Sequence, residues 1–496
     1  MTANSTKNNS DQNKSNESKT EDPLSLKEKV CFGIGDVSHG LAASAVGIYI
    51  LLYMTDVAGL SPAYAGLAVM IGRVWDSVTD PLMGWITDRT KTRWGSRRPY
   101  LLFGAIPYGL AFFSLWVIPE FGGEEVLIFA YATIALLVFN TCLTVVFVPY
   151  TSLTAALTSD YNERTSLTGF RMASSQAAFL IGAAVPSVLV SWLPSEAGKQ
   201  AISSMHRDIF GSWAGTPREA YFIMAAIFGL IMVASIWVSF WGTRERNIAD
   251  PSGESGSADD TPLVYASSIL EELSGNKPFR SAVLILLLTN CAATLIATNL
   301  AYYIQYVLFM ENSRSLIFLT LFSSAIVAMP VWVKLAKKYG KTETYCWAMA
   351  VYPLVLACLL LITPATRNLV YIVAALCGIL HAAALMIPWA IVPDVVEYDQ
   401  LKTGKRREGL FYGGTTFSYK MATALAVLMS GFVLDQLGYQ ANVPQSAEVQ
   451  MGLRIMVGTV AGLLLLWGGY IASKYPLTRD THAKIVKELA EKKAGE

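Results

Sequence analysis

The sequence predicts an all-α polytopic membrane protein, with twelve transmembrane helices arranged as two pseudo-symmetric bundles of six. Three observations carry that expectation. Long apolar runs recur, basic loops alternate with loops that lack basic residues, and one polar interruption divides the runs six and six. Apolar residues make up 53% of the chain and charged residues 15%, at a mean hydropathy of +0.42, richer in apolar groups than a soluble domain. Runs such as 101–118, 126–148, 282–298 and 456–471 approach the ~20 residues a helix needs to cross hydrocarbon. They lack the alternation of barrel strands, so helices must satisfy the backbone in lipid.

Residues 1–26 are polar and read as a disordered tail, not a cleaved signal peptide. Spans are then expected near 30–54, 62–87, 98–118, 126–157, 166–193 and 219–243, forming an N-terminal bundle over 27–246. A linker over 247–278 follows, carrying a flexible stretch at 250–260 and a short amphipathic piece at 264–273. The second bundle, over 279–475, has spans near 280–310, 315–336, 343–363, 368–396, 408–435 and 450–473, and 476–496 is a tail. Loops 88–98, 334–341 and 401–407 are rich in Lys and Arg, whereas 55–61, 119–125 and 436–449 contain none. Positive loops stay inside, so both termini are expected in the cytoplasm of a plasma (bacterial inner) membrane.

A weak internal repeat supports the division. Pro149 is followed eleven residues on by Asp160, and Pro388 at the same interval by Asp399. Parallel repeats around a central cavity are the arrangement of major-facilitator carriers.

Net charge is +1, so nothing points to a nucleic-acid partner. The six cysteines lie in apolar segments without CxxC spacing and read as small core residues. Isolated histidines suggest no metal cluster, and no nucleophile–base set suggests an enzyme. No cofactor is expected beyond a coupling cation.

The most informative cluster lies in the second span: Arg73, Asp76 and Asp80. On one helix the two acids are a turn apart on a shared face, with Arg73 on the turn before. Charges inside a span are costly unless they meet a cavity, a partner or an ion. Two such carboxylates repel unless a cation sits between them, and Thr79 with a facing Thr144 can add neutral oxygens. A cation site for Na+ or H+ is one reading. The other is purely structural, with Asp76 paired to Arg73 and Asp80 to loop cations.

Lys420, amid Tyr412, Thr415, Thr416 and Tyr419, is expected to point into the cavity. Arg171, Asp36 and His39 are further cavity candidates, and Tyr150, Tyr302 and Trp389 are aromatics able to stack on a solute. Substrate contacts are therefore expected at Asp36, His39, Tyr150, Arg171, Tyr302, Trp389, Thr416 and Lys420. Gating contacts are expected at Arg73, Asp88, Arg89 and Arg97 in the first half, and at Asp394, Glu397 and Arg406 in the second.

At these residues a resemblance becomes specific. Gly33-Ile-Gly-Asp36, Tyr53-Met-Thr-Asp56, the stretch from Arg73 to Gly84, the basic turn to Pro99, Pro393-Asp-Val-Val-Glu397 and Arg406-Arg-Glu-Gly409 look like the glycoside–pentoside–hexuronide:cation symporter family. The family belongs to the major facilitator superfamily and includes the melibiose permease. The resemblance covers nearly all of 30–475. It implies a cation site at Asp76 and Asp80, with Thr79 and Thr144 as neutral neighbours, and places Arg171 and Lys420 at the substrate cavity. It implies gradient-driven movement of a sugar, glycoside or hexuronide by alternating access; the chain is expected to act as a monomer. Galactoside-transporting members carry Lys-Asp where His39-Gly40 stands, Asp at Phe147 and Trp at Thr151, so the sugar-clamping carboxylates are absent. The family also resembles eukaryotic lysophospholipid carriers, an alternative cargo class. A non-transporting membrane sensor is a third reading.

Overall fold

The structure, a computed structural model, describes residues 24–158, 160–193, 215–245, 275–404 and 407–495. The 264–273 piece, most of the linker, Arg406 and the side chain of Asp88 lie outside the described residues.

Helices dominate, with no strand among the described residues. The first expected span is two helices, α1 (Leu26–Ile34) and α2 (Val37–Asp56). Ser25 and Glu28 cap α1 reciprocally, satisfying N–H groups that the first turn leaves free. The step between them falls at Gly35 and Asp36, where a side chain on Gly35 would press on Tyr150 and Ser239. Then come α3 (Pro62–Arg89), α4 (Arg98–Ser114), α5 (Glu125–Leu157), α6 (Tyr161–Trp192) and α7 (Pro217–Gly242). The second half comprises α8 (Lys277–Tyr302), α9 (Arg314–Tyr339), α10 (Lys341–Leu361), α11 (Leu369–Thr403) and α12 (Glu408–Gln436), with a last span built from α13 (Ala447–Arg454) and α14 (Ala461–Ser473). A π-turn over Tyr303–Val307 extends α8, and another joins α13 to α14. Among the described residues, ten spans are long and apolar enough to cross a membrane. α3, which carries the charged cluster, and α4, with 17 residues, complete the twelve. Prolines inside α3, α5, α6 and α11 are tolerated because neighbouring helices and local adjustments can re-satisfy the freed backbone.

The packing repeats. In the first half α2 packs on α6, α3 on α5, and α4 on α7; in the second, α8 packs on α12, α9 on α11, and α10 on α14. These are the same three pairings displaced by six spans, as a duplicated unit requires. The halves meet where α3 lies along α12, α6 along α9, and α2 along α8. The contact of α3 with α12 is tight far from the basic loops, where a Cβ on Gly431 would collide with the Pro62 carbonyl. Small residues let membrane helices approach this way.

Two details differ from the sequence reading. Asp160 caps α6 through the Glu163 amide, whereas Asp399 lies within α11 and holds Arg407 through two hydrogen bonds, so the repeated Pro-to-Asp spacing ends one helix and not the other. The stretch expected as a tail contains a helix, α15 (Arg479–Gly495), lying against α11 with Leu477 and Ile485 buried.

Candidate functional site

The second-span acids project from the middle of α3, one turn and so about 6 Å apart along its axis. They face α12. The Lys420 ammonium lies 2.8 Å from Asp76 Oδ2 and 2.5 Å from Asp80 Oδ2. From α5, the Thr144 hydroxyl sits 3.0 Å from Asp76 Oδ1 and 3.1 Å from Asp80 Oδ1, and Thr79 lies 3.3 Å from Thr144. Side-chain exposure grades from 3% at Asp76 through 12% at Lys420 to 29% at Asp80, so the cluster is sealed on one side and open on the other. The ammonium that keeps both acids tolerable comes from the opposite half. Taken by themselves the two carboxylates and one ammonium carry a formal charge of −1, at a desolvated place where charge is costly.

Arg73 does not pair with Asp76: it is half-buried and has no ion-pair partner among the described residues, which corrects the structural reading of the cluster. Asp36, at the step between α1 and α2, is buried and lies 3.3 Å from Arg171 Nε. These two cavity candidates thus face each other. His39 stacks on Phe147 with ring centroids 4.2 Å apart. Tyr150 and Tyr302, expected to meet a solute, are buried instead: Tyr150 donates to the Phe32 carbonyl, and Tyr302 hydrogen-bonds Thr55. Trp389 sits half-buried beside Tyr419, and Thr416 is half-buried one turn before Lys420.

Tyr302 belongs to a cluster that sequence reasoning missed. At the end opposite the basic loops, Asp56 closes α2. It accepts hydrogen bonds from the Tyr306 hydroxyl, from Tyr439 at 2.5 Å and from Gln305 at 3.5 Å, while Asn442 Nδ2 donates to its carbonyl at 2.6 Å. Arg314 Nη2 in turn donates to Gln305 Oε1 at 2.5 Å. All five residues come from the second half, and the π-turn after α8 presents Gln305 and Tyr306. Burial and the Asp56 carboxylate hold the Tyr439 phenol above its ordinary value, so it remains a donor. The available signal was an Asp closing the first span and a tyrosine-rich end to the seventh.

The gating candidates near the basic loops pair differently. Asp394 meets Lys341 at 2.6 Å, and Glu397 meets His482 of α15 at 2.6 Å. Arg97 donates to Ser152 through Nε at 2.9 Å. Its backbone amide and that of Arg98 donate to the Glu245 carboxylate, an anion at the N-terminus of α4. Arg89 lies over the Trp85 ring at 4.1 Å. Each of these contacts stays within one half.

A twelve-span bundle with this duplicated packing matches a family model described as MFS/sugar transport protein over residues 31–479. The chain belongs to that family. It is 30% identical to an uncharacterized symporter of Synechocystis sp., covering 94% of this chain and 97% of that one. It is 29% identical to the sodium-dependent lysophosphatidylcholine symporter 1-A of Danio rerio, covering 94% and 88%. A mutant of the nucleoside transporter NupG superposes with a TM-score of 0.61 at 11% identity, over 90% of this chain and 99% of that chain, and so shares the fold. The family's description names sugars, whereas none of the relatives named here is a sugar carrier by name. The Danio rerio relative is named for a lysophospholipid, the cargo class of the alternative.

Proposed function

We propose that this transporter couples entry of a cation, Na+ first, to movement of an amphiphile with a phosphate-bearing head, a lysophospholipid. The observation that carries the reading is the joint hold of Lys420 on Asp76 and Asp80 across the two halves. A hard cation entering between the carboxylates and the Thr144 hydroxyl competes with the ammonium for the same oxygens. Once displaced, Lys420 is free to meet an anionic head, so each ligand favours the other by relieving an unpaired charge. Arg171 is a second cation for that head, if the solute draws it from Asp36. Phe147, its ring stacked on His39, stands where galactoside carriers of the resembling family place a carboxylate. Basic loops facing the cytoplasm put both termini there, and the Asp56 cluster then closes the outer end.

In proteoliposomes, an inward Na+ gradient is expected to drive uptake of labelled lysophosphatidylcholine. Asp76→Asn and Asp80→Asn each lower it roughly a hundredfold, a loss of about 2.7 kcal/mol of coupling, while the protein stays folded. Undiminished Na+- and H+-driven uptake by both variants would refute the cation site. A second reading, a sugar or hexuronide as cargo, rests on the family's description. It wins if those solutes, and not lysolipids, are taken up.

A further inference from the structure

Beyond the central site, a cleft of about 500 Å³ opens on the outer surface of the first half, between the end of α3, α4 and α5. Phe103, Pro107, Cys142 and Val145 form apolar walls, and Thr90 and Tyr100 stand among them, their hydroxyls 2.5 Å apart. Cys142 and Val145 are three residues apart and share a face of α5. That face lies far round from Thr144, which points at Asp76 and Asp80. The cleft is therefore separate from the transport site.

Charge surrounds it at one end. Thr90 and Pro99 line the cleft, so the basic turn between them passes alongside. Phe103 meets Trp94 edge-on at 5.8 Å, and the Arg93 guanidinium lies 4.2 Å over the Trp94 ring, which ties the wall to a cation. Lys91 and Arg93 are exposed and have no acidic partner among the described residues. The one described carboxylate at the turn, Glu245, is taken by the amides of Ser96, Arg97 and Arg98. An apolar slot of about 500 Å³, with a hydroxyl pair and unpaired cations beside it, fits one occupant: a bilayer phospholipid with a net-negative head. A zwitterionic lipid satisfies the slot and offers the same phosphate, but its own ammonium offsets that charge, so it holds the two cations less well than a net-negative head.

We infer that this cleft is a binding site for an anionic membrane phospholipid, one acyl chain lying between α4 and α5 and the phosphate meeting Lys91 and Arg93. The lipid belongs to the leaflet that the basic loops face and clasps the end of α3, the helix that carries the acid pair.

The test uses the full chain in detergent with added phosphatidylglycerol or phosphatidylcholine. Native mass spectrometry is expected to retain one phosphatidylglycerol, and Lys91→Gln with Arg93→Gln to lower its retention about tenfold. Val145→Trp, which fills the slot, lowers retention of both lipids. Cys142 supplies an independent readout. Phosphatidylglycerol slows its alkylation by N-ethylmaleimide several-fold, while alkylation of Cys358, exposed on α10, is unchanged. Equal protection by phosphatidylcholine, or undiminished phosphatidylglycerol retention in the charge variant, would overturn the site. The charge variant alters only exposed side chains, so a poorly folded Val145→Trp leaves the question decidable.

Discussion

At the end away from the basic loops, one carboxylate at the close of α2 receives the second half's tyrosines and amides. At the basic end, Lys341 with Asp394, His482 with Glu397 and Glu245 with the start of α4 each tie elements of a single half. The first kind of contact must break for the halves to part there; the second can travel with a rocking bundle intact. The difference teaches where the conformational barrier lies. Charge density marks the basic end in the sequence, yet the cross-half bonds described above lie at the other end and at the Lys420 joint.

Lys420→Ala breaks that joint and has the largest expected effect. It leaves two close carboxylates without their ammonium, a loss of about 3–5 kcal/mol for a buried pair. The melting temperature should fall by several degrees, and Na+ should restore more of it than in the unaltered chain. A variant that melts normally and ignores Na+ would separate the acids from any coupling role.

Asp56→Ala comes next, because it removes the acceptor on which the end opposite the basic loops converges. With spin labels at Tyr64 and Val443, the distance across that end should shift toward longer values by double electron–electron resonance. Tyr439→Phe removes one of those bonds, about 1.5–3 kcal/mol for a hydrogen bond to a charged group, and should lengthen the same distribution less. Because the Tyr439 phenol is held above its ordinary value, the unaltered lock should not loosen between pH ~7 and ~9.

His482→Ala is expected to do least. It frees α15 from Glu397 inside one half, so proteolysis of the last helix should quicken while the Tyr64–Val443 distance stays put. Movement of that distance would show that the two ends are not independent.

Much of the frame was legible in the sequence because membrane crossing is a local property. Apolar length placed nearly every span within a few residues, and the one-turn spacing of Asp76 and Asp80 put them on one face before any coordinates. Lys420 was legible as a charge needing a cavity, but its partners stand more than three hundred residues away and no periodicity points to them. Tyr150 and Tyr302 misled for the same reason. A tyrosine in a span looks alike whether its hydroxyl meets a solute, a Phe32 carbonyl or a threonine.

The order of apolar and basic segments by itself determined a twelve-helix bundle with a charged pair inside it, since hydrocarbon leaves a chain so few ways to cross. Only the tertiary structure decided that Lys420 joins the acids, that Asp36 faces Arg171 and that Asp56 fastens the halves together. Those choices depend on which helices meet at which depth, and packing between distant segments sets that.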